Sequence, residues 1–154
     1  MKNILFIIAL TFLSASAFGQ KVNFSGEWKL NDSKSELGYE FSLAPKTMTV
    51  EHTKKTLDMT SLDEWDGQEY ESKAHYTLDG EVCENPGFMD SVTKATANFD
   101  KKTKTLKIVT TGTVEGMDYT LTQVMSMKDG NLVVNSEAAS DMGEMLETFV
   151  FDKK

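Results

Sequence analysis

The sequence predicts an all-β protein, an antiparallel up-and-down β-barrel of about eight to ten strands. Apolar and polar residues alternate with a period of two in runs rich in Thr, Val, Tyr and Phe. Turn-forming pairs that contain Gly separate these runs, and no long apolar stripe of helical period follows the first twenty residues. A sheet of this size either closes into a barrel or splits into two layers. Closure removes the exposed edges, so a barrel is favoured and a β-sandwich is the alternative.

The alternating runs predict ten strands in order along the chain. They lie near residues 24–30, 46–53, 56–65, 68–78, 81–84, 91–99, 104–114, 117–128, 131–138 and 145–152. Five runs show the alternation most clearly, with these residues sharing one face: Met48, Val50 and His52; Tyr70, Ala74, Tyr76 and Leu78; Leu106, Ile108 and Thr110; Tyr119, Leu121, Gln123, Met125 and Met127; Met145, Glu147, Phe149 and Phe151. One face of each strand is therefore expected to lie in the core and the other in solvent.

Residues that favour tight turns punctuate the runs. The predicted hairpin connections are Asp66-Gly67, Asp79-Gly80, Asp100 to Thr103, Glu115-Gly116 and Asp129-Gly130. Gly and Asp suit these positions because they tolerate positive φ angles. Pro45 and Pro86 are expected in loops, and Ser33 and Glu36 have the spacing of a capping box for one helical turn near 32–37.

The start of the chain predicts a cleavable secretory signal peptide. Lys2 precedes the apolar stretch Ile4–Leu13, and small residues follow it. That stretch has about ten residues, too few to cross a bilayer of roughly 30 Å. Cleavage is expected after Gly19, or alternatively after Ala17, which makes residues 1–19 the leader and 20–154 one barrel domain. No Cys near the cut offers a lipid attachment site, so the sequence predicts a secreted or periplasmic protein with no membrane span.

Composition and motifs argue against several functions. The formal net charge is −8 and the chain contains no Arg, so binding to nucleic acid or to anionic lipid surfaces is not expected. Cys83 is the single cysteine and is expected to be buried or inert. His52 and His75 fall on different predicted strands, each on a polar face. No spacing typical of a nucleophile or a metal site occurs, so the sequence predicts neither an enzyme nor a bound cofactor or metal.

The first predicted strand carries a recognisable motif. At Gly26-Glu27-Trp28 the chain resembles the lipocalin superfamily, whose first strand contains Gly-x-Trp. The stretch from Phe24 to Ser35 is similar to the lipocalin-like domains of exported bacterial proteins. The resemblance implies a barrel whose closed end is plugged by Trp28 and whose interior holds a small hydrophobic molecule. The basic residue that stacks over this Trp in the family is usually Arg, and no Arg is present here.

The favoured function is binding of a small hydrophobic or amphipathic ligand by a monomeric barrel. A barrel of about eight strands encloses either packed side chains or one small ligand. Met and aromatic side chains suit an adaptable pocket, although they also fill irregular cores. The candidate ligand-binding residues are Trp28, Met48, Met59, Tyr70, Tyr76, Tyr119, Met125 and Phe149. The alternative is an acidic protein-interaction or hydrolase-inhibitor barrel of the cell envelope that binds a basic protein partner.

Overall fold

Ten antiparallel strands form one sheet in the computed structural model, which describes residues 22–39, 41–65, 67–88 and 91–154. The strands are β1 (Gly26–Leu30), β2 (Thr47–His52), β3 (Thr56–Trp65), β4 (Gln68–Thr77), β5 (Cys83–Pro86), β6 (Val92–Asp100), β7 (Thr105–Val114), β8 (Met117–Lys128), β9 (Asn131–Ser140) and β10 (Gly143–Lys153). The described ranges contain no α-helix. The predicted all-β fold and the ten predicted strands are confirmed, whereas the predicted leader lies outside the described residues.

The sheet curls into a nearly closed barrel because its first and last strands pair with each other. The strand order is β4-β3-β2-β1-β10-β9-β8-β7-β6-β5, and β1 pairs with β10 from Trp28–Lys153 to Leu30–Phe151. The break in the ring falls between the consecutive strands β4 and β5. The prediction of a hairpin at Asp79-Gly80 is therefore wrong. Asp79 instead forms an isolated bridge with Asn98 of β6, which draws the connection away from β4.

Strand register keeps each side chain on its expected face. Every paired ladder runs without a slip, so the period-two alternation of the sequence becomes an inside and an outside. One interior row illustrates this, since Phe149 pairs with Val134, Val134 with Met125, and Met125 with Leu106. All four side chains are buried. Removing this apolar surface from water is the main term that stabilises the barrel.

The buried core is concentrated at one end of the barrel, which we call the closed end. It is bounded by the loops 53–55, 78–82, 101–104 and 129–130. Phe24 and Phe99 pack there edge to face at 6.3 Å, and His52 stacks on Phe24 at 5.2 Å. The prediction that His52 lies on a polar face is wrong. Its ring belongs to the inner face of β2 together with Met48 and Val50, and it fills the space between the two Phe rings.

Trp28 plugs the closed end as the lipocalin resemblance implies. Its side chain is buried, and its indole Nε1 donates a hydrogen bond to the carbonyl oxygen of Phe24 at 2.9 Å. Lys153 of β10 places its ammonium 5.8 Å from the centre of the Trp28 ring, so a basic side chain lies over the indole although the chain has no Arg. Gly26 has a φ angle of 152°, a conformation that residues with a side chain rarely adopt, which explains the Gly of the motif.

Turn geometry agrees with the turn residues in most places. Both residues of Glu115-Gly116 and of Asp129-Gly130 have positive φ angles, as a two-residue hairpin turn requires. Two local predictions need correction. Pro86 ends the edge strand β5 instead of lying in a loop, which is tolerated because an edge strand leaves some N–H positions unpaired. The turn at 32–34 is capped by the Asn31 side chain, which accepts from the Lys34 N–H, and not by Ser33.

Candidate ligand-binding site

The inner face of the barrel is only partly covered at its other end, which we call the open end. On one wall, Leu121, Ala138 and Met145 lie side by side on β8, β9 and β10. Across the barrel, Met59 of β3, which pairs with buried Val50, faces inward beside Ala74 of β4, and both pack against the core nearer the closed end. The other five residues also point to the inside by strand alternation, yet each keeps partial exposure to solvent. Two apolar walls that water reaches form the candidate site.

The structure separates the eight sequence-predicted site residues into two groups. Trp28, Met48, Tyr76, Met125 and Phe149 are buried in the packed closed half. Met59 is partly buried against that core, Tyr119 is partly exposed near the end of β8, and Tyr70 is half-exposed at the open end. Only these last three keep part of their surface exposed to solvent. Sequence reasoning missed Leu121, Ala138 and Met145, although their alternation with polar neighbours is visible in the sequence.

A buried carboxylate ties the β1–β2 connection to the wall of the site. Glu147 of β10 is 4% exposed and faces inward. Its Oε1 accepts a hydrogen bond from the Gly38 N–H at 2.8 Å, and its Oε2 accepts one from the Leu43 N–H at 3.0 Å. Leu37 and Ala44 on either side of these donors pack against the core. The connection is therefore anchored across the open end by two charge-assisted hydrogen bonds.

An amide side chain spans the break between β4 and β5. Asn85 of β5 is buried, its Oδ1 accepts from the His75 N–H at 2.7 Å, and its Nδ2 donates to the His75 carbonyl at 3.1 Å. These are the two groups that a neighbouring strand's peptide would otherwise satisfy. The Thr77 N–H adds a longer contact to Cys83 Sγ at 3.3 Å. Side chains thus close the wall of the site where the backbone ladder is interrupted.

The open end carries a collar of exposed apolar side chains, which we call the apolar rim. Its members are Tyr39, Phe41, Leu43, Tyr70, Phe88, Val92, Met117 and Met142. They come from the loops and strand ends at the open end, because antiparallel order brings the β1–β2, β3–β4, β5–β6, β7–β8 and β9–β10 connections together there. Apolar side chains gathered around the entrance of a barrel are typical of binding surfaces.

Two acidic side chains face the interior of the open half. One is Glu147, and the other is Asp63 of β3, two positions beyond Ser61 on the inner face. Partial burial raises the pKa of the Asp63 carboxyl above its ordinary value, and the charge of nearby Lys46 lowers it by a smaller amount. The interior of the site therefore has an acidic character.

Tyr76 gives the barrel a specific weakness at high pH. Burial, and to a smaller extent the neighbouring Cys83, raise the pKa of its phenol from 10.0 to about 12. The unfolded chain then loses this proton at lower pH than the folded protein does. The protonated Tyr76 phenol thus contributes about 2–3 kcal/mol to the free energy of unfolding. This contribution is complete below pH 10 and is lost as the pH rises through 12. Urea unfolding across this range should show that extra loss in the wild type and not in Tyr76→Phe. Equal losses in both proteins would contradict the assignment.

The outer surface has two shallow depressions of different character from the interior. A groove of about 280 Å³ crosses the outer face of β8 to β10 between Thr122 and Leu146, and Ser136 and Glu147 also contribute to its lining. A second depression of about 590 Å³ lies over β6 to β9, and its lining includes Lys94, Asp118 and the predicted site residue Tyr119. Both are lined largely by outward-facing polar side chains and are open to solvent, so the inner walls remain the candidate site.

The candidate catalytic groups do not converge. His75 Nδ1 lies 2.6 Å from Asp58 Oδ1, but this pair sits on the outer face of β3 and β4, with both side chains about half exposed. His52 is packed between aromatic rings at the closed end. Among the described residues, no group of three His, Cys, Asp or Glu side chains has a metal-binding arrangement. No helix in the described part of the chain is long and apolar enough to cross a membrane.

The fold defines a class of small ten-stranded antiparallel barrels, and two solved structures share it. Human cRBP IV superposes with a TM-score of 0.51 at 13% identity, covering 86% of this chain and 99% of its own. The zebrafish ileal bile acid-binding protein complexed with cholic acid gives a TM-score of 0.54 at 15% identity, covering 85% and 98%. A search of protein-family models and a search of curated proteins find no match. The predicted antiparallel barrel is thus confirmed as a fold, whereas the lipocalin resemblance and the bacterial, exported origin stay predictions.

Proposed function

We propose that this protein is a binding protein that takes a small hydrophobic or amphipathic ligand into the open half of its barrel. The observation that carries the proposal is the pair of inward-facing walls, Leu121, Ala138 and Met145 against Met59 and Ala74, whose side chains solvent reaches. Apolar side chains that line the inside of a barrel without being fully covered gain free energy when an apolar molecule covers them.

The surroundings of these walls support the same function. The apolar rim surrounds the entrance, and the packed layer around Trp28 gives the site a solid floor. A preformed concave apolar site with a few polar groups is the usual form of a small-molecule site in proteins. Similar barrels occur in proteins named for ligand binding, and one of them was solved with cholic acid. The described residues offer binding contacts and no assembled catalytic group.

A matched pair of substitutions on β9 tests where the ligand binds. Ala138 faces the interior and Ala139 faces outward, so a Trp at either position adds the same bulk on opposite sides of the same strand. Fluorescence titration with Nile red, an uncharged apolar probe, should show saturable binding to the wild type at one site. Ala138→Trp should weaken that binding by about tenfold or more, because the indole fills the space between the walls.

The control and the contradicting result follow from the same pair. Ala139→Trp should bind Nile red like the wild type, and thermal unfolding should show that both variants are folded. If Ala138→Trp fails to fold, the smaller Ala138→Leu substitution should still weaken binding. Absence of saturable Nile red binding to the wild type, or an equal loss in both Trp variants, would overturn the proposed function.

We also propose that the chain is exported, with residues 1–19 removed. The proposal is supported by the charge of Lys2, the apolar stretch Ile4–Leu13 and the small residues after it. Expression in a Gram-negative host followed by N-terminal sequencing should find a secreted or periplasmic protein that begins at Gln20. An uncleaved chain retained in the cytoplasm would contradict it.

A further inference from the structure

A buried hydroxyl at the floor of the candidate site has no hydrogen-bond partner. Ser136 of β9 is 4% exposed, faces inward, and lies between Gln123 of β8 and Glu147 of β10 in the strand register. Its Oγ is inaccessible to water and makes no hydrogen bond. Buried polar groups are nearly always paired, because leaving one unpaired costs free energy of folding. An unpaired hydroxyl that points into the barrel therefore calls for a functional explanation.

The neighbouring carboxylate explains why Ser136 stays unpaired. Glu147 stands directly opposite Ser136, close enough for side-chain contact across a strand pair. Both of its oxygens are directed to the β1–β2 connection, where they accept from the N–H groups of Gly38 and Leu43. The Ser136 hydroxyl is thus left beside a fixed negative charge, with one O–H donor and its acceptor lone pairs unused.

The charges inside the open half oppose a carboxylate ligand. The inward-facing acids Glu147 and Asp63 are both in this half of the barrel. By strand alternation, the lysines on the described strands face outward. The exception is Lys153, whose ammonium lies over Trp28 at the closed end. Lys46 is at the open end, where its charge acts on Asp63. With no Arg in the chain and these lysines placed elsewhere, no described residue puts a cation beside Ser136 to pair with a carboxylate.

We propose that Ser136 is the hydrogen-bonding anchor of the site and that Glu147 beside it selects amphiphiles with an uncharged hydroxyl end over those with a carboxylate end. This inference rests on the proposed function. A hydroxyl both donates and accepts, so it matches Ser136 and also tolerates the nearby carboxylate. A carboxylate brought to the same place would be repelled by Glu147 and would lose its hydration without compensation.

Two probes of equal chain length test the selectivity. 1-Decanol and decanoate compete with bound Nile red, at a pH where decanoate is ionised. We expect 1-decanol to displace the dye at a concentration about tenfold lower or more. Decanoate is also less apolar than 1-decanol and would bind any apolar site less tightly for that reason alone. The comparison between protein variants is therefore the decisive one. Glu147→Gln should raise the affinity for decanoate relative to that for 1-decanol, because it removes the negative charge. The Gln amide can accept from only one of the Gly38 and Leu43 N–H groups, so the ratio of the two affinities is compared with that of the wild type.

Ser136→Ala separates an anchor from an ordinary core residue. Loss of one hydrogen bond should weaken 1-decanol about fivefold and leave decanoate unchanged. The melting temperature should rise by a few degrees, since the unpaired hydroxyl is gone. Ser126→Ala, on the outer face of neighbouring β8, is the matched control and should alter neither probe.

The outcomes are distinguishable. If Nile red does not bind at all, the proposed function fails and this inference fails with it. If Nile red binds normally but Ser136→Ala leaves 1-decanol unchanged, the anchor is overturned while the binding function stands. If Glu147→Gln fails to raise the affinity for decanoate relative to that for 1-decanol, the proposed selectivity is overturned.

Discussion

Replacing Trp28 by Ala is expected to lower the free energy of unfolding by about 3–5 kcal/mol. The indole is 1% exposed, and its removal leaves a cavity at the centre of the closed end. Two further interactions depend on it: the hydrogen bond to the Phe24 carbonyl and the contact of the Lys153 ammonium with the ring. Single domains of this size are typically stable by about 5–15 kcal/mol, so this variant should be close to unfolding at room temperature.

Urea unfolding of Trp28→Ala and Trp28→Phe measures this effect. The Phe variant keeps most of the apolar volume and loses the indole N–H, so its loss should be clearly smaller than that of the Ala variant. Tyr70→Ala removes a half-exposed aromatic side chain at the open end and serves as the control, with a change within about 0.5 kcal/mol. A loss below about 1 kcal/mol for Trp28→Ala would show that the indole does not hold the closed end together.

Replacing Asn85 by Ala is expected to destabilise the barrel by about 2–4 kcal/mol and to loosen β4 specifically. The substitution leaves both the N–H and the carbonyl of His75 without their partner at the break in the ring. Water can hydrogen-bond to these two groups in the variant, because the strand is exposed at His75. The loss of stability should therefore not exceed about 4 kcal/mol. Amide hydrogen exchange should show the greatest increase at β4 and β5, because these strands border the break.

A second amide side chain provides the control for Asn85. Asn135 on the outer face of β9 is exposed and accepts one hydrogen bond from Thr148 Oγ1 at 3.2 Å. Asn135→Ala should therefore change stability by no more than about 0.5 kcal/mol and leave the exchange of β4 unaltered. Equal stability losses in the two variants, or uniform exchange throughout the barrel in Asn85→Ala, would contradict a closing role for Asn85.

The sequence predicted the strands well because local signals determine them. Two-residue alternation and turn pairs such as Asp129-Gly130 act within a few neighbours, and the observed strands follow the predicted ones closely. The motif at Gly26 and Trp28 likewise predicted the floor of the barrel. The failed prediction at Asp79-Gly80 has a non-local cause, because the bridge to Asn98 competes with a hairpin and lies outside the range of local patterns.

The site was harder to predict because it depends on how far each inward-facing residue lies along the barrel. Alternation assigns Tyr76 and Leu121 equally to the inner face, yet Tyr76 is buried in the core and Leu121 is reached by solvent. Strand order and the position of the closed end decide between them, and neither is a local property. The partners of Glu147 are about a hundred residues away in sequence, at Gly38 and Leu43, so no local motif reveals its role.

The most direct test of binding inside the open half is methyl NMR of the protein labelled at its methionines, with and without Nile red. Met59 and Met145 face inward, whereas Met142 belongs to the apolar rim, in the β9–β10 turn, and is 79% exposed. Binding between the walls should shift the Met59 and Met145 methyl signals and give contacts from both to the dye. Shifts confined to Met142, with Met59 and Met145 unmoved, would show that the ligand does not bind inside the barrel.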